Sequence, residues 1–302
     1  MNNLVNNIGD ANKLRTINPH ALFSVNKKKI YYLSDELGDD DKLEIPNRYA
    51  LVRSDTDKPL AVVSNKYKIR SYQTLVEKIN ESIFNHFGNH FVNNKITVND
   101  WVSDNGSKFK RDVYFWNEGV PVKDNYKEKT IPHLRIYASY DTQWAEQIIF
   151  GSVYVLCMNG LVRPNWQFKV YNKHNTNKET EYTADMFGAG LEAQKTLGND
   201  LFKLMQRKVT NVEVLHLFKN TLAKIAHNLL SHGTSDNAMR ELGDAWNKYA
   251  VAYGNTMFAV YQTATHWSSH PITRGQKQLV IRRREQKVVD MLNSNYWLAM
   301  AA

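Results

Sequence analysis

A thiolate is an intrinsically strong nucleophile, and this chain carries a single cysteine, Cys157. It sits in Val153-Tyr154-Val155-Leu156-Cys157, a β-branched and aromatic run where a small buried hydrophobe is expected instead. One cysteine also excludes an internal disulfide framework and a multi-cysteine zinc site. His227 and His232 are five positions apart, a spacing that does not align two metal ligands on one helical face. Phe187-Gly188-Ala189-Gly190 is the nearest approach to a phosphate loop, but it lacks a third glycine and a downstream Gly-Lys-Ser/Thr. Asp141 and Glu146 have no partner at a spacing that suggests acid–base work. These residues point to a non-enzymatic binding protein that acts without a cofactor.

The cations say more. Residues 203–302 hold thirteen Lys/Arg against six Asp/Glu, so +7 of the net +9 falls in the last third. Such an excess attracts polyanions, although a generic solubilising surface has the same look. In Lys66-Tyr67-Lys68-Ile69-Arg70-Ser71-Tyr72 a period of two puts Lys66, Lys68 and Arg70 on one strand face. Cations roughly 7 Å apart match the phosphate spacing of an extended single strand. The solvent face of a half-buried strand would show the same alternation. Lys108, Lys110 and Arg111 precede the aromatic run Tyr114-Phe115-Trp116, and rings offer sequence-tolerant stacking platforms to bases. Tyr72 and Trp144 are the candidate stacking residues. The densest cluster is Arg282-Arg283-Arg284 with Lys287, on a basic amphipathic helix whose Ile281, Val288, Met291 and Leu292 face inward. Arg282 and Arg283 are expected to project outward, so reversing both charges should spare the fold; a merely solvated terminal helix fits the pattern as well.

The elements that must position these groups divide the chain into three. Residues 1–46, with Lys27-Lys28-Lys29 and Asp39-Asp40-Asp41, read as an N-terminal arm. Residues 47–182 form a β-rich region with one helix. Two short strands flank the turn Asp55–Pro59, a helix spans 73–87, and His133–Tyr140 pairs with Gln147–Met158 as an antiparallel hairpin. Residues 183–302 are helical and pack on the sheet as one domain. Thr210-Asn211-Val212-Glu213 is a capping box, and behind it Leu215, Phe218, Leu222, Ile225 and Leu229 mark one buried stripe. A single long helix is expected to carry Met239, Leu242, Trp246, Ala250, Tyr253, Met257, Val260 and Ala264, and a last helix spans 275–292. The fold class is therefore α+β, an antiparallel β-rich N-terminal half followed by a helical C-terminal half.

Hydrophobic content of 42% and aromatic content of 12% are globular values. The longest apolar or small-residue run, Ile148–Met158, is about half a membrane span. The opening Met-Asn-Asn-Leu-Val-Asn-Asn-Ile lacks the basic flank and apolar centre of a secretory signal. A cytoplasmic protein with no membrane partner is expected.

Leu60–Arg70, Val153–Leu161 and Trp246–His270, the last with Asn255-Thr256, His266 and His270, together resemble the phage/plasmid-like family of domain-of-unknown-function 932. The resemblance runs from about residue 47 to 290. It implies a mobile-element origin, placing the protein in the host cytoplasm if phage-encoded, and it brings no catalytic residues. Such proteins are distantly similar to single-strand annealing recombinases, whose sheet-plus-helix modules line a basic groove in ring oligomers. The resemblance thus implies a single-stranded-DNA partner, an annealing role in recombination and a homo-oligomer. The alternative is a host-interaction or anti-defence protein that binds an acidic partner.

Overall fold

The computed structural model describes residues 9–33, 42–88, 93–121, 129–154, 160–161, 168–172, 188, 198–226, 232–272 and 277–302. Three strands, β1 (Val25–Leu33), β2 (Lys42–Arg53) and β3 (Pro59–Ser64), form a small antiparallel sheet in that order. The helix α1 (Tyr72–Phe87) follows, close to the expected bounds. Its Ser71 hydroxyl accepts the Thr74 N–H, and Leu75, Val76, Ile79 and Ile83 form the buried stripe.

A seven-stranded antiparallel sheet comes next. Its path is β10 (Phe168–Asn172), β8 (Glu146–Tyr154), β7 (Lys129–Ser139), β5 (Lys108–Phe115) and β4 (Ile96–Val102). The two-residue strands β6 (Val120–Pro121) and β9 (Gly160–Leu161) pair with β7 and β8. The expected hairpin is β7 with β8, in register from Thr130 opposite Tyr154 to Tyr137 opposite Gln147. Cys157 lies outside the described residues.

The pleat sorts β5 into two faces. Phe109, Val113 and Phe115 join Leu134, Ile136, Ile148, Phe150 and the α1 stripe in one apolar core. The same core takes Ala11, Leu14, Ala21 and Val25, so the described part of residues 1–46 is not an arm. It is held down by polar contacts as well. Buried Arg111 makes a two-pronged ion pair with Asp100 and donates to the carbonyls of Leu14 and Thr16, while Asn80 donates to Leu14 at 2.6 Å. The run of charge in this segment hid the few small apolar residues that anchor it.

The C-terminal half is helical. It comprises residues 198–206, α2 (Asn211–Asn220), α3 (Asp236–Tyr253), α4 (Met257–Ser269), α5 (Lys277–Leu292) and α6 (Asn295–Ala301), with a two-stranded pair β11 (Lys224–Ala226) and β12 (His232–Thr234). Both arms of the Thr210–Glu213 capping box form. The stripe behind it is phased differently from expectation. Val214, Leu217 and Phe218 are buried, Leu215 is 57% exposed, and the helix stops at Asn220. A 3-4 spacing admits two phases in so apolar a run, and contact with α3 selects between them. The expected single helix over 239–264 is two. Gly254 (φ 68°, ψ 177°) breaks it, and the Thr256 hydroxyl caps α4 on the Ala259 N–H. From Met257 to Ala264 every residue is buried, so α4 runs through the middle of the helical core. Among the described residues no helix is long and apolar enough to cross a membrane.

The two glycines of that region therefore have opposite roles. A Cβ at Gly254 would clash with nothing closer than 3.7 Å, but its backbone angles are essentially glycine-only, so Gly254→Ala is expected to cost about 1–3 kcal/mol. Gly243 lies inside α3 with open space around it, and Gly243→Ala is expected to stabilise by up to about 1 kcal/mol. Denaturant melts of the two variants check the contrast.

Candidate nucleic-acid interface

Most of the cations read from the sequence as a binding surface are inside the protein. All eight residues of β5 are buried, because the strand lies between β4 and β7 with both faces covered. Lys108 pairs with Asp141, Lys110 with Asp112 at 2.8 Å, and Arg111 with Asp100. Tyr72 is buried too, stacked on Phe109 with its hydroxyl donating to Gly106 at 3.1 Å, and Trp144 is buried beside Tyr137. Neither ring faces solvent for a base to stack on. The terminal cluster is also divided. The Arg282 guanidinium lies 4.6 Å over the rings of both Tyr137 and Trp144, and Arg284 pairs with Glu241 while donating to the Trp267 carbonyl at 2.9 Å. Only Arg283 of the three is exposed. The expected outward pair thus corrects to one residue, because α5 buries a polar flank against the sheet as well as an apolar flank against the other helices.

That polar flank closes over a buried network. On β5 and β7 the alternation sets Lys110, Asp112 and Tyr114 beside Tyr137, Arg135 and His133. Asp112 accepts from Arg135 at 2.5 Å and lies 2.8 Å from His133, whose ring stacks on Tyr114 at 4.6 Å. From α5, Glu285 pairs with Arg135 and accepts the Tyr137 hydroxyl at 3.1 Å, and Gln278 accepts from Lys110 at 3.0 Å. Burial alone would raise the Asp112 carboxyl, but Arg135, Lys110 and the His133 bond overcome it and hold it well below the usual range. Burial lowers His133 against the pull of Asp112. A His–Asp pair can serve as a general base, but this one is sealed beneath α5, where it orients the network. The signal was available: matched opposite charges on adjacent strands at period two, with Glu285 spaced to meet them. Among the described residues no group of His, Cys, Asp and Glu is arranged to hold a metal ion.

Besides Arg283, two of the predicted cations stay at the surface, Lys66 and Lys68. They are not on a strand. β3 ends at Ser64, the Tyr67 N–H closes a turn on the Ser64 carbonyl, and Tyr67 drops into the core with its hydroxyl donating to Ser139 at 3.2 Å. Arg70 turns inward to Glu146 at 3.7 Å. The loop is tied to β1, since the Lys27 ammonium donates to the carbonyls of Asn65 and Tyr67. This places Lys66 and Lys68 beside β1 and β2, most of whose residues fall in the stretch 1–46 expected to be an arm. Lys28, Lys29, Lys42 and Arg48 are exposed there, and Tyr31 and Tyr32 are 49% and 50% exposed. Lys28 and Arg48 share the solvent face, opposite Ala50 and Ser64. Lys28 pairs with Asp57 and Lys29 with Glu44, but both pairs are exposed and therefore weak. Residues 25–33 and 42–70 together hold ten Lys/Arg against three Asp/Glu, and the joining stretch 34–41 holds five acids.

A family model described as a domain of unknown function, DUF932, matches residues 59–295. The chain belongs to the DUF932 family. No curated protein and no solved structure matches it. The DUF932 match opens on Pro59, the first residue of β3. The strands β1 and β2, which carry exposed Lys28, Lys29, Lys42 and Arg48 and complete the sheet of β3, precede it.

Charge reversal separates the two halves of the arginine cluster. Arg283→Glu is expected to change stability by less than about 0.5 kcal/mol. Arg282→Glu replaces a cation over two ring faces by an anion near Glu285 and is expected to cost roughly 2 kcal/mol or more. Thermal melts distinguish them. Because the folded Asp112 carboxyl titrates below its unfolded value, its contribution is complete above about pH 4 and is lost as pH falls further. Asp112→Asn should lower the neutral-pH melting temperature and flatten the acid limb of its pH profile.

Proposed function

We propose that this DUF932 protein is a non-enzymatic, mobile-element nucleic-acid-binding protein that holds single-stranded DNA on its N-terminal sheet. The observation that carries this reading is the exposure of Lys42, Arg48, Lys66 and Lys68, which make no ion pair among the described residues, near the β1 end where Tyr31 and Tyr32 present a half-exposed ring on each face of the strand. Phosphates provide the attraction that brings a strand to such a surface, and exposed rings provide faces on which unpaired bases stack. An extended strand suits this surface better than a duplex, whose bases are already stacked on one another.

Fluorescence anisotropy with labelled oligo-dT tests the reading. Affinity is expected to fall steeply between about 50 and 200 mM salt, with a log–log slope of roughly −0.7 per phosphate contacted. Lys66→Glu with Lys68→Glu should weaken binding and flatten that slope, whereas Tyr31→Ala with Tyr32→Ala should weaken binding by about 1–3 kcal/mol per stacked base with the slope unchanged. Arg283→Glu, on the far helix, should bind as the parent does. No binding of oligo-dT at low salt would sink the proposal, and retention on an acidic protein resin that oligo-dT fails to compete would favour an acidic protein partner instead.

A further inference from the structure

A cavity of about 410 Å³ opens where α1 begins. Arg70, Ser71, Thr74, Lys78, Tyr140 and Glu146 supply its polar wall, and Val25, Ile69 and Leu75 its apolar one. The sixteen-residue α1 points its positive end here, and the first-turn N–H groups of Tyr72 and Gln73 have no intrahelical acceptor. Ser71 donates its hydroxyl to Thr74 at 2.7 Å, which leaves the Thr74 hydroxyl a proton to give.

Tyr140 provides a second and independent observation. It is 1% exposed, lies against Tyr72 at 4.4 Å between ring centroids, lines the cavity, and carries a buried hydroxyl that has no hydrogen-bond partner. Leaving a buried hydroxyl unmet costs on the order of 1–3 kcal/mol. Burial raises its pKa to about 12, so at neutral pH it keeps its proton and is a donor beside Tyr72, the first residue of α1. Around it are two cations, Arg70 and Lys78, and one carboxylate, Glu146, which braces Arg70 at 3.7 Å. The balance is positive, and the Thr74 and Tyr140 hydroxyls each have a proton to donate. The volume exceeds what a bare oxyanion needs and falls in the range of small-molecule sites. The apolar wall suits a sugar or base attached to that anion.

We propose that this cavity binds a nucleoside monophosphate, free or at the 5′ end of a strand, with its phosphate at the start of α1. Arg70 and Lys78 hold the phosphate oxygens with the Tyr140 and Thr74 hydroxyls, and Glu146 orients Arg70 while accepting from the sugar. The site goes beyond the sheet-surface reading and stands without it, since a mononucleotide can bind here whether or not a strand binds outside.

Calorimetric titration of the full chain with dTMP, thymidine and inorganic phosphate tests it. dTMP is expected to bind, phosphate to compete with it, and thymidine to bind at least tenfold more weakly. Tyr140→Phe and Lys78→Gln should each weaken dTMP roughly three- to tenfold while melting like the parent. Arg70→Gln should weaken it more, and because it also removes the cation that faces buried Glu146, Lys78→Gln is the variant to rely on if it does not fold. A 5′-phosphorylated oligo-dT that binds better than its unphosphorylated twin identifies a strand end as the natural source; equal binding of the two, with dTMP still bound, identifies a free nucleotide. Equal affinity for thymidine and dTMP, failure of both dTMP and phosphate to bind, or unchanged dTMP affinity in folded Tyr140→Phe and Lys78→Gln overturns the proposal.

Discussion

Asp112, Arg135 and Glu285 form a chain of charge between the sheet and α5, and a charge taken out of water is costly unless an opposite one meets it. The apolar cores on either side do not depend on each other in this way: one is built of sheet and α1, the other of helices. What joins them is the polar face of β5 and β7, which needs a covering element that brings a carboxylate to Arg135, an amide to Lys110 and a cation to the Tyr137 and Trp144 rings. Glu285, Gln278 and Arg282 come from one helix at intervals that present them together. Hydrophobic contact alone would let a helix slide, whereas these pairings specify register.

The same constraint decides where binding can occur. Spending Lys108, Lys110, Arg111, Arg282 and Arg284 on internal partners removes them from the surface, whereas Lys28, Lys29, Lys42, Arg48, Lys66 and Lys68, on β1, β2 and the loop after β3, stay exposed. Lysines on an edge strand such as β1 also discourage it from pairing with other chains. Lys28 and Lys29 can serve that purpose and a ligand at once. The surface and the α1 cavity are neighbours along the chain, with Lys66 and Lys68 outside and Arg70 turning in. A few residues of loop thus separate a solvent-exposed cation from one that lines a cavity.

Much of the local structure was legible from the sequence, because it depends on interactions between residues close in the chain. The α1 stripe, the β7–β8 hairpin, the Thr210–Glu213 capping box and the inward set on α5 all follow from spacing and hydrogen-bond chemistry within a few residues. The α+β order and membership of the DUF932 family were legible in the same way. The phase of α2 was not, since Leu215 and Val214 satisfy the same spacing and only contact with α3 chooses between them. Nor was the break at Gly254, where a propensity cost of about 1 kcal/mol does not distinguish a tolerated glycine from a left-handed one.

Residue type and spacing determined which side chains are charged or aromatic and which strand or helix holds them. They could not determine whether a given cation meets water or a carboxylate, because the partner lies far away in sequence: Asp141 for Lys108, Glu241 for Arg284, the Tyr137 and Trp144 rings for Arg282. An alternation such as that of β5 has two faces, and a sequence read alone takes the charged one for solvent. Only the tertiary structure supplied the helix that covers it, and with it the reason that the cations of β5 are internal while Lys28, Lys29, Lys42 and Arg48 of the N-terminal strands meet water.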